Sequence, residues 1–343
     1  MKKLLLLLPL LAMIGCRQPN PEPISLNGNA QGTFYSIIYF DSLNRNLQPQ
    51  IDSILDAFDM SCSLWKENSL LRRVNRGETD SLDYVLQSLF QYARIMHEYT
   101  DGAFDCAMGE LIRAWGFAFD SLSEMTPEVI DALMANAERS RQFRVSIDAS
   151  DKDNPRFSLQ HLEGSEYNFN AVAQGAAVDL LSQYLLSQGI ESHLINLGGE
   201  VIAHGLKPDG KAWIVGIERP AKAKDSNPQV ELAIRLENRS VVTSGSYRKY
   251  YEKDGTRISH TIDPTTGRPV THTLLSASVV SDESWYADAM ATAFMVMGLE
   301  RSLEFIASHS YDPNIQAALF IYDSCGTYKT YSTPAFDSLV VDL

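Results

Sequence analysis

The sequence predicts an α+β protein of mixed helices and antiparallel-rich sheets, and three observations carry that reading. Helical periodicity dominates from residue 49 to about 140, and strand-like segments dominate after about 142. No regular strand–helix alternation joins the two regions. Neither a Gly-x-Gly-x-x-Gly run nor a P-loop is present, so the common nucleotide-binding folds find no support.

The elements follow in order. Residues 31–40 are β-branched and aromatic and read as a strand. Ile51, Ile54, Leu55 and Phe58 recur at helical spacing behind Pro49, which gives a helix over 49–60. Leu82, Val85, Leu86, Leu89, Ile95 and Met96 give another over 81–99, and 103–115 a third. Thr126-Pro127-Glu128 opens the next helix. Thr supplies a capping oxygen, Pro tolerates the first turn, and the acid suits the positive end of the helix dipole. Strands are expected at 143–147 and 157–162, flanking the polar turn 151–155, and a helix over 172–188 that stops at Gly189. Further strands fall at 192–197, 200–206, 212–218, 230–236, 240–243, 257–262 and 274–281, with 219–229 an exposed loop. A helix over 285–308 and a final strand at 317–322 complete the pattern.

Composition narrows the function. Against 29 Lys+Arg stand 43 Asp+Glu, a net charge of -14 that repels phosphate backbones and argues against a nucleic-acid partner. Four Cys with no Cys-x-x-Cys pair make neither a disulfide scaffold nor a zinc site.

Met1-Lys2-Lys3 followed by the apolar run Leu4 to Gly15 reads as a signal peptide over residues 1–15, too short to span a bilayer. Met13-Ile14-Gly15-Cys16 resembles a bacterial lipobox, with Cys16 the lipidated residue and 16–28 a polar, Pro-rich tether. The alternative is an ordinary secretory signal. The lipobox reading places the protein in a bacterial cell envelope, lipid-anchored and facing the periplasm or exterior.

Several residue groups could carry chemistry. Asp288 and Thr292 stand four apart in a helical segment and share a face. A carboxylate and a hydroxyl there suit Mg²⁺, which takes hard oxygen ligands; a helix cap with a small buried Thr is the plainer alternative. His260 lies near Asp263 and a Pro-Gly turn, placed for general-base work with Asp263 orienting it, or simply a satisfied surface His. Thr243-Ser244-Gly245-Ser246-Tyr247-Arg248 reads as a phosphate-approaching loop, with Arg248 adding charge, and Asn196-Leu197-Gly198-Gly199-Glu200 as a second; either can be a plain turn. Trp65, in a polar stretch, suits either a planar ligand or a core anchor.

Taken in order, these motifs resemble the ApbE family of FAD:protein FMN transferases, the flavin-trafficking lipoproteins. The resemblance starts at Gly32-Thr33-Phe34-Tyr35 and continues through Met60-Ser61, Trp65, Ser69 and Asn75. Gly102-Ala103-Phe104-Asp105, Trp115-Gly116-Phe117 and Asn170-Ala171-Val172-Ala173-Gln174-Gly175 with Asp179 follow. The last matches are Asn196 to Glu200, Thr243 to Arg248, His260 to Pro269, and Ala287-Asp288-Ala289 with Ala291-Thr292-Ala293. It implies a single catalytic unit over 29–343 with an FAD cleft between two lobes. It also implies Mg²⁺-dependent cleavage of FAD, with FMN passed to a Thr or Ser hydroxyl of a redox-complex subunit and AMP released.

By motif position Asp288, Thr292 and the Ala171 carbonyl become Mg²⁺ ligands, and His260 the base. Trp65 lies against the flavin, while Gln174, Asp179, Gly198, Gly199, Thr243, Ser244, Gly245 and Arg248 fall in the FAD-binding segments. Gln174 departs from the family's usual Lys and can offer only hydrogen bonds. A periplasmic FAD pyrophosphatase and a non-catalytic flavin-binding lipoprotein are the competing readings.

Overall fold

The computed structural model describes residues 21–117, 124–151, 154–220, 229–246, 250–253 and 256–342. Its centre is an eight-stranded sheet: β1 (Ile24–Ala30), β2 (Thr33–Tyr39), β3 (His193–Leu197), β4 (Glu200–His204), β5 (Arg239–Gly245), β6 (Leu274–Ser281), β7 (Ala317–Ser324) and β8 (Thr327–Ser332). The spatial order equals the chain order, and every neighbouring pair is antiparallel. Most helices and smaller-sheet strands are insertions between consecutive strands, and Pro334–Asp337 and Val340–Val341 follow the last. The α+β expectation therefore holds.

Strand alternation divides the core into two layers. Val242, Ala277, Val279 and Phe320 face one side, where α2 (Ala173–Ser187) and α3 (Ser284–Ser308) pack; α1 (Gln48–Cys62) extends the same layer. Val241, Val280, Ala317 and Leu319 face the other. There they meet Trp213, Val215, Ile217, Ile234 and Leu236 of the sheet formed by Trp213–Arg219, Gln229–Leu236 and Val340–Val341. With both faces covered, all eight residues of β6 are buried. The first half of α3 is apolar nearly all round, as a helix between sheet and helices must be. It kinks at Gly298 (φ 76°, ψ 175°), where the His272 ring lies 2.8 Å from where a Cβ would sit.

A smaller third cluster joins Met108, Leu111, Ala137 and Ile262. Thr126 caps the Pro127–Ser140 helix through the Val129 N–H, as its sequence predicts. Gly267 packs against Met134 of that helix, a Cβ there reaching only 2.8 Å from the side chain.

Several boundaries differ from expectation. Ile24–Ala30 is a strand in the sheet, so residues 24–28 belong to the folded unit and not to a tether; its Ser-, Asn- and Gly-rich sequence hides a half-exposed edge. The strand expected over 31–40 begins only at Thr33, because Gln31 (φ 53°) and Gly32 (φ 73°) make the hairpin turn. The helix expected over 103–115 is a 3₁₀ turn, Cys106–Met108, followed by Gly109–Ala114. The strand expected over 257–262 divides into Thr256–Ser259 and Ile262–Asp263. Ala317–Ser324 is not the last strand, since Thr327–Ser332 pairs with it and Val340–Val341 joins the smaller sheet. Cys16, Arg248 and most of the 219–229 loop lie outside the described residues. No helix among the described residues is long and apolar enough to cross a membrane.

Candidate functional site

The N-termini of α2 and α3 meet at one corner of the sheet, and the candidate residues assemble around that meeting. Gly175, in the first turn of α2, lies so close to α3 that an added Cβ would sit 2.4 Å from the Ser284 carbonyl oxygen. That approach lets the Gly175 N–H donate to Asp288 Oδ2 at 3.0 Å. Asp288 is only 4 % exposed, and burial pushes its carboxyl up to about 7, with the Gly175 bond opposing and nearby Asp179 adding to the rise.

One turn further along α3, the Thr292 hydroxyl is 3.1 Å from the Ser244 hydroxyl on β5. Asp288 and Thr292 thus share the expected helix face. Thr243, Ser244 and Gly245 are not a loop: they are the last three residues of β5. Alternation separates them, so Ser244 faces α3 while Thr243 hydrogen-bonds Ser278 of β6 at 2.7 Å on the opposite face. Ser278 had no signal in the sequence, since a cross-strand partner is chosen by sheet register.

Gln174 precedes Gly175 and joins this corner to the β3–β4 turn. The position a Cβ would take on Gly198 lies 2.8 Å from Gln174 Nε2, 2.8 Å from Thr33 Cγ2 and 3.3 Å from Glu200 Oε2. Gly198 (φ 67°) and Gly199 (φ 116°) form the two-residue hairpin connection that only glycine-like backbones favour. The Gly198 N–H donates to the Phe34 carbonyl at 3.0 Å, and the Gly199 N–H to Asn196 Oδ1 at 3.0 Å. Beside Thr33 a shallow concavity is lined by Asn29, Ala30, Gly32, Thr33 and Phe34. A contiguous line therefore runs from Thr33 through Gly198, Gln174, Gly175 and Asp288 to Thr292 and Ser244.

The remaining candidates are placed differently. Asp179 was expected among the cofactor-binding residues, but both its carboxylate oxygens accept backbone N–H groups of α3, from Ser284 at 2.9 Å and Trp285 at 2.8 Å. Both oxygens cap the first turn of α3. Trp65 follows α1 and is 62 % exposed, which removes the core-anchor alternative. The Asp59 carboxylate, near the end of α1, lies beside the Gln31 backbone at the β1–β2 turn.

His260 is half-buried between the two short strands that precede and follow it, its ring 6.2 Å from that of Phe117. Phe117 in turn packs against the smaller cluster. Asp263 Oδ1 accepts the Thr265 N–H at 2.8 Å, shaping the turn that Trp115 closes through its Nε1–H to the Gly267 carbonyl at 2.8 Å. Ala171 lies in the turn leading into α2.

Among the described residues there is no group of three or more His, Cys, Asp or Glu side chains able to hold a metal. The oxygen set of Asp288 and Thr292 fits a different kind of site. A single carboxylate deep in the protein, beside a hydroxyl one turn away, offers hard donors to a cation whose other ligands are water and phosphate.

Known proteins resemble the chain along most of its length. A relative from Escherichia coli named FAD:protein FMN transferase is 32% identical, over 98% of this chain and 96% of its own. One from Vibrio cholerae with the same name is 31% identical over 97% of each chain. Among solved structures, the Vibrio cholerae flavin transferase ApbE superposes with a TM-score of 0.76 at 30% identity, covering 94% of this chain and 100% of that one. The Pseudomonas stutzeri flavinyl transferase ApbE in its apo form gives 0.77 at 29% identity, covering 93% and 97%. The ApbE family profile matches residues 31–319, the span that holds both helix N-termini, the β3–β4 turn and His260, and the chain is a member of the ApbE family.

Proposed function

We propose that this chain is an FAD:protein FMN transferase that passes the FMN half of FAD to a Thr or Ser hydroxyl of a partner protein and releases AMP. The observation that carries the reading is buried Asp288 and Thr292 sharing one face of α3 at its junction with α2, next to a glycine turn that Gln174 adjoins.

Asp288 and Thr292, with the Ala171 carbonyl, would hold Mg²⁺, which when bound neutralises charge on the pyrophosphate. The chain's own residues do the rest. The amide of Gln174 receives a phosphate oxygen by hydrogen bonding, and the side-chain-free Gly198–Gly199 turn lets the ligand approach the backbone. Ser244 fixes the Thr292 hydroxyl from the sheet side. Trp65, exposed just beyond the end of α1, would cover the flavin ring. His260 takes the proton from the acceptor hydroxyl as its oxygen attacks the FMN phosphorus, and the phosphoanhydride bond to AMP breaks.

The acidic composition fits this division of labour. A protein with net charge -14 is poor in basic surface for a pyrophosphate, so a cation and uncharged side-chain donors supply the complement. The partner is an exported or membrane redox protein, met at the cell envelope where a lipid on Cys16 would hold the enzyme.

Incubation with FAD, Mg²⁺ and an acceptor protein tests the reading. Covalent flavin fluorescence on the acceptor after denaturing electrophoresis is the expected result. FMN and AMP without labelled acceptor would make the chain an FAD pyrophosphatase, and intact bound FAD would make it a flavin-binding protein.

A further inference from the structure

Two helices that enter the site start without caps of their own. The residues preceding α2 and α3, Val172 and Glu283, make no side-chain capping bond. The free N–H groups of a helix start must be satisfied from elsewhere. Here each helix serves the other. Asp179, midway along α2, takes the Ser284 and Trp285 N–H groups at 2.9 and 2.8 Å. Asp288, in the second turn of α3, takes the Gly175 N–H at 3.0 Å. The contact of Gly175 with the Ser284 carbonyl closes the same corner.

The geometry transmits position. Ser284, Asp288 and Thr292 stand at four-residue intervals on α3, so whatever holds Ser284 sets the depth of the other two. Asp179 holds it with a negative charge at the positive end of the helix dipole, which strengthens the grip. Released from Asp179, the first turn of α3 would keep the Gly175 contacts and the stacking of Trp285 on Tyr92, but nothing in these would hold the Ser284 and Trp285 N–H groups. Asp288 would then drift or rotate while the sheet beneath it stayed in place.

We propose that Asp179 is a positioning residue: it fixes the first turn of α3 against α2 and so sets where Asp288 and Thr292 present their oxygens, without touching FAD itself. The proposal rests on the reading of Asp288 and Thr292 as the Mg²⁺ ligands. It predicts that Asp179 controls cation affinity more than flavin affinity.

Thermal unfolding of the full chain with saturating FAD and no acceptor, titrated with Mg²⁺, tests it. The wild-type Tm rises with Mg²⁺. Asp179→Ala starts from a lower Tm and needs at least about 10-fold more Mg²⁺ for half the rise, the usual cost of losing a residue that orients a ligand. Asp179→Asn, which keeps one acceptor oxygen, falls between them and carries the test if the alanine variant does not fold. FAD binding without Mg²⁺, read by flavin fluorescence, stays within about 2-fold. A lowered Tm with an unchanged Mg²⁺ midpoint would show a structural cap only. Loss of Mg²⁺-free FAD binding would make Asp179 a direct cofactor contact. Either result overturns the proposal while leaving the metal reading intact. A wild-type Tm indifferent to Mg²⁺ overturns the metal reading, and this one with it.

Discussion

The backbone N–H of Gly175 donates to Asp288 Oδ2 at 3.0 Å, joining the start of one helix to the second turn of another. The bond exists because residue 175 has no side chain: a Cβ would lie 2.4 Å from the Ser284 carbonyl oxygen and 2.8 Å from the Trp285 Cα. Both obstacles are backbone and cannot swing aside. Gly175→Ala is therefore expected to push the helices apart, costing about 1–3 kcal/mol as other overpacked sites do. Urea unfolding measures the loss, and flavin transfer should fall with it. A variant as stable and active as the wild type would show that the corner is looser than described.

Thr292 offers a hydroxyl that Ser244 shares at 3.1 Å. Thr292→Ser keeps the oxygen, and Thr292→Val keeps the shape. The expected order of transfer rate at limiting Mg²⁺ is Thr, then Ser, then Val, with Val down by about 10–100-fold, as for other losses at a metal shell. Equal rates for Val and Thr at every Mg²⁺ concentration would remove the hydroxyl from the site.

The His260 ring lies 6.2 Å from that of Phe117, which packs against the smaller cluster. If it takes the acceptor's proton, His260→Ala binds FAD normally but transfers flavin about 10²–10⁴-fold more slowly. Fluorescence titration with FAD and a timed transfer assay separate the two effects. Full transfer by the variant would end its role as base.

Acid should weaken the fold through His193. This side chain is fully buried, with Nε2 2.8 Å from the Ser182 hydroxyl and Nδ1 3.2 Å from the Ile190 carbonyl. Burial drives its imidazole down to about 4; the Ile190 carbonyl opposes this and the neighbouring His204 adds to it. Because the folded state holds it neutral, its contribution is fully present above the unfolded value of about 6.5. That contribution is lost as the pH falls toward 4, since the unfolded chain binds the proton first. The loss amounts to roughly 3 kcal/mol. Urea midpoints at pH 7 and pH 4.5 should differ more for the wild type than for His193→Gln. Identical differences would show that other groups dominate the acid response.

Much of the site was readable because it is local. Asp288 and Thr292 are four residues apart on one helix, and Gly198-Gly199 is a two-residue hairpin turn; both follow from spacing alone. What could not be read is long-range. Asp179 reaches N–H groups 105 and 106 positions away, so nothing near it in the chain marks it as a cap. The split between Thr243 and Ser244 appears only when strand register is known. Strand β1 was missed because edge strands need little hydrophobicity, and Leu26 is its one fully buried residue.

The central claim is that buried Asp288 serves a Mg²⁺-dependent transfer of FMN to protein. Covalent flavin on an acceptor, followed against Mg²⁺ concentration for the wild type and for Asp288→Asn, tests it most directly. Asparagine keeps an oxygen for the Gly175 N–H, so the fold should survive. The wild type should label in a Mg²⁺-dependent manner, and the variant should lose at least about 100-fold at any Mg²⁺ concentration. Labelling that proceeds in the presence of a chelator, or at equal rates for both proteins, would contradict it.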